Sequence, residues 1–407
     1  MFLCETPSLS RRALLTASGA LFASATIPAF ARAADARDPR LVVMILRGAM
    51  DGLSALAPIG DPDYAGLHGE LALQWDGAHP ALKIDSYFGL NPSMPNFARL
   101  YGAKQAIAIH ACATNYRERS HFDGQDVLES GMPSPGQTQS GWLNRAIAAL
   151  PKGERVSRAG GLAVGATPPL VVRGGAPVLG WAPSGLAAPT NDLTSRLLDL
   201  YAHTDPSLGA ALRAGIDADQ MATKQGMDAF KPGGDVAQGM QKSAEGAARL
   251  MAADDGPRIA ALAFDGWDTH ANEGGATGRL AQLLGGLDGA FAAFEKELGA
   301  NWKDTAIIAV TEFGRTAHIN GTTGTDHGTG TVAFLAGGAL AGGRIIADWP
   351  GLKAADLYES RDLKPTTDLR AIMKGLLADH LGLSQTVLGN VVFPGTSSVL
   401  PMKGLIG

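Results

Sequence analysis

Apolar residues follow two rhythms along this chain. In five short runs they are continuous and rich in β-branched side chains: residues 41–46 (LVVMIL), 105–111 (QAIAIHA), 258–264 (RIAALAF), 305–311 (TAIIAVT) and 331–336 (TVAFLA). A strand with one wet face alternates polar and apolar positions. These runs do not, which predicts strands covered on both faces. Elsewhere apolar residues recur every three or four positions. The clearest case is residues 278–299, where Leu280, Leu283, Leu284, Leu287, Phe291, Phe294 and Leu298 would line one side of a helix. Strand, helix, strand order predicts an α/β fold, a doubly wound and mostly parallel sheet flanked by helices. Residues 151–257 break the rhythm. A Pro/Gly-rich stretch (GATPPLVVRGGAP) precedes helical patterns over 192–214 and 237–252, and the region reads as an insertion or cap on a single domain spanning 34–407.

The first 33 residues follow neither rhythm. Ser10-Arg11-Arg12 closes a polar, basic segment. An Ala/Ser/Thr-rich apolar stretch (13–31) follows, and Ala31-Arg32-Ala33 supplies the small-x-small pattern that a signal peptidase pocket admits. Paired arginines ahead of a weakly apolar stretch predict a twin-arginine signal, read by the export machinery as an address rather than kept as an anchor. The stretch is broken by Pro28 and gains little from lipid. The expected location is therefore the periplasm or the exterior, with no membrane span after cleavage.

Composition narrows the chemistry. A net charge of −5 gives no electrostatic footprint for nucleic acid. Of two cysteines, Cys4 lies in the signal segment and Cys112 is left alone, so the mature chain has no intramolecular disulfide and no Cys-x-x-Cys metal site. Any metal must be held by histidines and carboxylates, a donor set suited to Zn, Mn, Mg or Ca.

Such residues stand where strands end. Asp51 follows the first strand after a Gly-containing turn. Asp265 follows the third run directly, with Asp268 and His270 just beyond it. Glu312 follows the fourth, with Arg315 after it, and Asp326 and His327 precede the fifth. In a parallel sheet the loops beyond the carboxyl ends of strands share one edge, where ligands bind. Several carboxylates gathered there need a compensating cation. Each has a plainer reading. Asp51-Gly52 and Asp265-Gly266 are common turn pairs, Asp268 suits a helix N-cap, Glu312 and Arg315 suit a simple ion pair, and His327 suits an ordinary loop. Ser120 stands where a helix should start after the second strand. There it is either an N-cap or a nucleophile favoured by the helix dipole. Its neighbour His121 is the alternative functional residue, as metal ligand or proton donor.

Taken in order, the segments LRGAMDGLS (46–54), SHFDGQDVLESG (120–131), SGWLNRAI (140–147), FDGWDTHANEGG (264–275), TEFGRT (311–316) and TDHG (325–328) resemble the exported bacterial domain-of-unknown-function family 1501. That family is itself similar to the alkaline phosphatase/sulfatase superfamily. The resemblance implies a metal-binding Asp51 after the first strand and a nucleophile, Ser120, opening a helix that ends at Ser130-Gly131. It further implies metal ligands at Asp268, His270 and His327, with Glu312 or Asp265 as a further ligand or base. The chain departs from the superfamily at Glu312-Phe313, where an Asp-His pair is usual, and it lacks a Cys-x-Pro-x-Arg segment. The function implied is metal-dependent hydrolysis of phosphate or sulfate esters on a small anionic or glycan substrate. The alternative is a non-catalytic exported protein that binds a metal, a glycan or a protein partner.

Overall fold

The computed structural model describes residues 37–151, 160–183, 191–224 and 235–407. The signal segment expected over 1–33 lies outside the described residues. Everything below concerns the unit Pro39–Gly407, and among the described residues no helix is long and apolar enough to cross a membrane.

In chain order the first part comprises β1 (Arg40–Arg47), α1 (Gly52–Ala55), β2 (Leu56–Ala57), α2 (Tyr64–His68), β3 (Leu82–Lys83), β4 (Gly89–Leu90), α3 (Pro95–Gly102), β5 (Ala106–Ala113), α4 (His121–Ser130) and α5 (Trp142–Ala149). Next come β6 (Gly161–Val164), β7 (Val178–Trp181), α6 (Asn191–Thr204), α7 (Pro206–Lys224) and α8 (Val236–Ala252). The last part holds β8 (Ile259–Asp265), α9 (Arg279–Leu298), β9 (Thr305–Val310), β10 (Thr331–Ala336), β11 (Arg344–Ile346), β12 (Thr367–Asp368) and α10 (Leu369–Asp379). The main sheet runs β11-β5-β10-β9-β1-β8-β6-β7, with β12 also on β5. β2, β4 and β3 form a small second sheet.

The five apolar runs are β1, β5, β8, β9 and β10, and their continuous apolarity has the expected cause. On β1, Val42, Met44 and Leu46 enter one core while Leu41, Val43 and Ile45 enter the other. Successive side chains point to opposite faces, and here both faces are buried. The first core lies under α3, α8 and α9, the second under α5 and α10. All seven predicted apolar positions of α9 are buried, and Gly278 and Gly299 flank that helix.

One strand departs from the parallel pattern. β10 is antiparallel to both β5 and β9, whereas β1 pairs in parallel with β8 and β9. No crossover helix separates β9 from β10; the chain returns through a loop, and a strand joined that way can run backwards. The reversal has a functional effect. It carries the residues just before β10 to the same edge as the residues just after β1, β5, β8 and β9.

The stretch 151–257, read as an insertion or cap, has described parts built into the main layers. β6 pairs with β8 and β7 pairs with β6, extending the sheet, and α8 packs along α9. The helical pattern over 192–214 is divided into α6 and α7 at Asp205-Pro206, because proline disfavours helix in the residue before it and suits a helix's first turn.

Candidate functional site

Three loops meet at that shared edge, those after β5 and β8 and the one that joins β9 to β10. His121 is the first residue of α4, Asp268 and His270 follow β8, Glu312 and Arg315 follow β9, and Asp326 and His327 precede β10. The Nε2 atom of His327 lies 2.9 Å from His121 Nε2 and 3.0 Å from His270 Nε2. The Asp268 carboxylate spans the group, with Oδ2 3.3 Å from His121 Nε2 and Oδ1 3.1 Å from His270 Nε2 and 3.4 Å from His327 Nε2. His121, Asp268 and His327 present donor atoms within 4.8 Å of one another.

Each imidazole is held from behind. His121 Nδ1 donates to Glu312 Oε1 at 2.8 Å, His270 Nδ1 to Asp326 Oδ1 at 3.1 Å, and His327 Nδ1 to the Arg119 carbonyl at 2.9 Å. With the far nitrogen occupied by its proton, Nε2 is left to face the cluster. A carboxylate or carbonyl behind each ring is how metal-ligating histidines are oriented. Tetrahedral coordination at about 2.0–2.1 Å places donor atoms roughly 3.3 Å apart, close to the separations here. The donor set therefore fits a divalent cation. It is rich in imidazole and has no thiolate, since Cys112 is buried in β5 and bonded to the Ile109 and Thr331 carbonyls.

The charges are arranged to keep the acids ionised. Burial opposes ionisation of Glu312, but hydrogen bonds from His121, Gln125 and the Gly48 N–H outweigh it and hold the acid below its usual range. Burial likewise opposes Asp268, and the Arg315 guanidinium, 2.7 Å away and itself fully buried, overcomes it. The Asn320 amide holds Asp326 low. The Glu312 hydrogen bond raises His121, whereas burial lowers His327.

Not every predicted residue joins this group. Asp51 is fully buried and acts as the N-cap of α1, accepting from the Leu53 and Ser54 N–H groups, with His68 Nε2 3.0 Å away. The turn-and-cap reading describes it. Asp265 ends β8 exposed, in register with Arg47. Ser120 does precede a helix, but its backbone N–H bonds to the Tyr116 hydroxyl, and the side chain that enters the cluster from that helix end is His121. Arg315 pairs with Asp268, not with Glu312.

Several contributors had no signal in the sequence. Thr311 Oγ1 donates to Glu312 Oε2 at 2.9 Å. Thr325 accepts from Arg315 Nε and donates to Glu273 Oε2. The Arg119 contribution is a backbone carbonyl, which any residue type supplies.

The sequence profile of a family described as "Protein of unknown function (DUF1501)" matches residues 38–392. No curated protein matches the chain in sequence. Among solved structures, Ps i-CgsB in complex with k-i-k-neocarrahexaose is 10% identical, with a TM-score of 0.43 over 90% of this chain and 77% of that one. The phosphonate monoester hydrolase of Agrobacterium radiobacter is 14% identical, with a TM-score of 0.34 over 85% of this chain and 74% of that one. Likeness at this level leaves the activity to be argued from the site itself.

Proposed function

The chain belongs to the DUF1501 family, and on that footing we propose that it is an exported, metal-dependent hydrolase of phosphate or sulfate esters. The observation that carries the proposal is the meeting of His121, His270 and His327 Nε2 atoms with the Asp268 carboxylate, each ring anchored from behind. His121, Asp268 and His327 would hold the cation, with His270 at its margin. An imidazole-rich, thiolate-free set favours Zn over Mn, Mg and Ca. When bound, the cation would act as a Lewis acid toward an ester oxygen and lower the pKa of a water.

The protein's own groups do the rest. Glu312 keeps the His121 proton on Nδ1, so Nε2 stays available. Arg315 holds Asp268 ionised and in place. Ser120 sits one residue from His121, at the start of α4, with its backbone N–H bonded to the Tyr116 hydroxyl; the reading assigns attack to water rather than to the serine hydroxyl. The segment 1–33 would deliver the folded chain through the twin-arginine route.

The test is direct. The mature chain is purified folded, its metal content measured, and hydrolysis of aryl phosphates and aryl sulfates followed with and without added divalent ions. Metal at 100 times its dissociation constant should stabilise the fold by about 2.7 kcal/mol. His327→Ala should abolish binding, and Ser120→Ala should leave both metal and turnover intact. Metal-free protein that ignores added ions would overturn the metal centre. Bound metal without turnover on both ester classes would favour a binding protein of the same fold.

A further inference from the structure

The outer support of His327 differs from that of its two partners. His121 and His270 are held by carboxylate side chains, whereas His327 is held by a main-chain carbonyl, that of Arg119. Arg119 has φ of +59°, a left-handed conformation that side-chain-bearing residues rarely adopt and that persists only where the surroundings impose it. The surroundings are specific. Arg119 Nε lies 2.9 Å and Nη2 2.8 Å from Asp362 Oδ2, and Nη2 lies 2.5 Å from Glu359 Oε2. The guanidinium also lies over the Tyr358 ring, 5.8 Å from its centroid. Asp362 is fully buried and accepts a further hydrogen bond from Thr329 Oγ1 at 2.6 Å, two residues beyond His327. Within the same turn, Glu359 and Ser360 have φ of +53° and +54°.

We propose that the Arg119–Asp362 pair is a latch that holds the Arg119 backbone left-handed and so aims its carbonyl at His327 Nδ1, making Arg119 and Asp362 positioning residues for the metal centre. The inference rests on the metal-centre reading above. A carbonyl locked in place fixes both the tautomer and the ring plane of His327. A carbonyl free to swing would leave the ring to rotate or to carry its proton on Nε2, facing the cluster. Because Asp362 also binds Thr329, the turn 358–362 and the segment leading into β10 are fixed by one carboxylate.

Glycine separates this idea from a general loss of stability. Arg119→Ala removes the latch but keeps the cost of a positive φ, so the backbone relaxes away and the carbonyl is lost. Arg119→Gly removes the same side chain but tolerates the left-handed conformation. Zinc affinity is read by chelator competition on the mature chain, with thermal melting in parallel. The Ala variant should bind zinc 10- to 100-fold more weakly, the range for loss of a support behind a metal ligand, and the Gly variant should recover part of that loss. Asp362→Asn should weaken zinc in the same direction, and Glu359→Gln, on the exposed arm, should do little. Should Arg119→Ala fail to fold, Arg119→Lys, which keeps the charge but loses the fork, carries the same comparison. Wild-type affinity in Arg119→Ala, or equal losses in Ala and Gly, would overturn the latch. Absence of zinc binding in the wild type, by contrast, would overturn the metal centre itself.

Discussion

A Cβ placed on Gly48 would lie 2.4 Å from the backbone nitrogen of Asp268. Gly48 has φ of +121°, and its N–H donates to Glu312 Oε1 at 2.9 Å. One glycine at the end of β1 thus sets how closely the Asp268 loop approaches and helps to hold the acid behind His121. Gly48→Ala should cost about 2 kcal/mol or more from the backbone conformation and the clash together, read as a lowered midpoint in urea. It should also weaken metal binding. Unchanged affinity in a destabilised variant would show that the Asp268 loop does not depend on this contact.

The raised affinity of His121 for its proton sets a pH dependence. Without metal, the proton that Glu312 favours on His121 competes for the nitrogen that must bind the cation. Metal affinity should therefore climb as pH rises through the histidine range and level off above it. Glu312→Gln keeps the shape but removes the charge. The climb should move to lower pH, while the plateau affinity falls by about 10- to 100-fold. An identical pH profile in the two proteins would argue against His121 as a ligand.

Glu273 makes a separate prediction about stability. Burial and then the nearby Asp51 charge push this acid up to about 8; Thr325 donates to Oε2 at 2.6 Å, and Oε1 has no hydrogen-bond partner among the described residues. The folded protein keeps this proton at pH values where the unfolded chain, with an ordinary value of 4.5, has released it. Because the native state binds more protons in that window, Glu273 makes stability fall as pH rises from about 4.5 to about 8. Glu273→Gln should remove this part of the slope, so the variant gains on the wild type as pH increases. A difference between them that stays constant across that range in denaturant melts would sink the assignment.

The export reading rests on Arg11 and Arg12. Replacing both with lysine preserves charge but alters the address, and should leave the full-length precursor inside the cell. Normal appearance of the mature protein in the periplasmic fraction would count against the twin-arginine route.

The strands and the long helix α9 were legible because burial on two faces, or on one, dictates which positions must be apolar. The direction of β10 was not, since a strand buried on both faces reads the same in either direction. The edge that collects the site was legible from the acids at strand ends, yet Asp51 shows the limit of that signal. Its partner His68 lies in a Gly-bearing segment without periodicity, and nothing in the sequence announces that the two will meet. Ser120 and His121 illustrate another limit. Adjacent residues at a helix start project in different directions, and periodicity does not fix a helix's phase to a single residue.

His121 and His327 are 206 positions apart in the chain, and His121 and Glu312 are 191 apart. No local segment, hairpin or half-finished chain brings these groups together. Loop closure over such distances must precede any contact that rewards it, so the centre should assemble only once these distant segments have been brought together. Tight uptake of a cation would then mark a finished molecule, and its loss on warming or in denaturant would report global unfolding rather than the fraying of one loop.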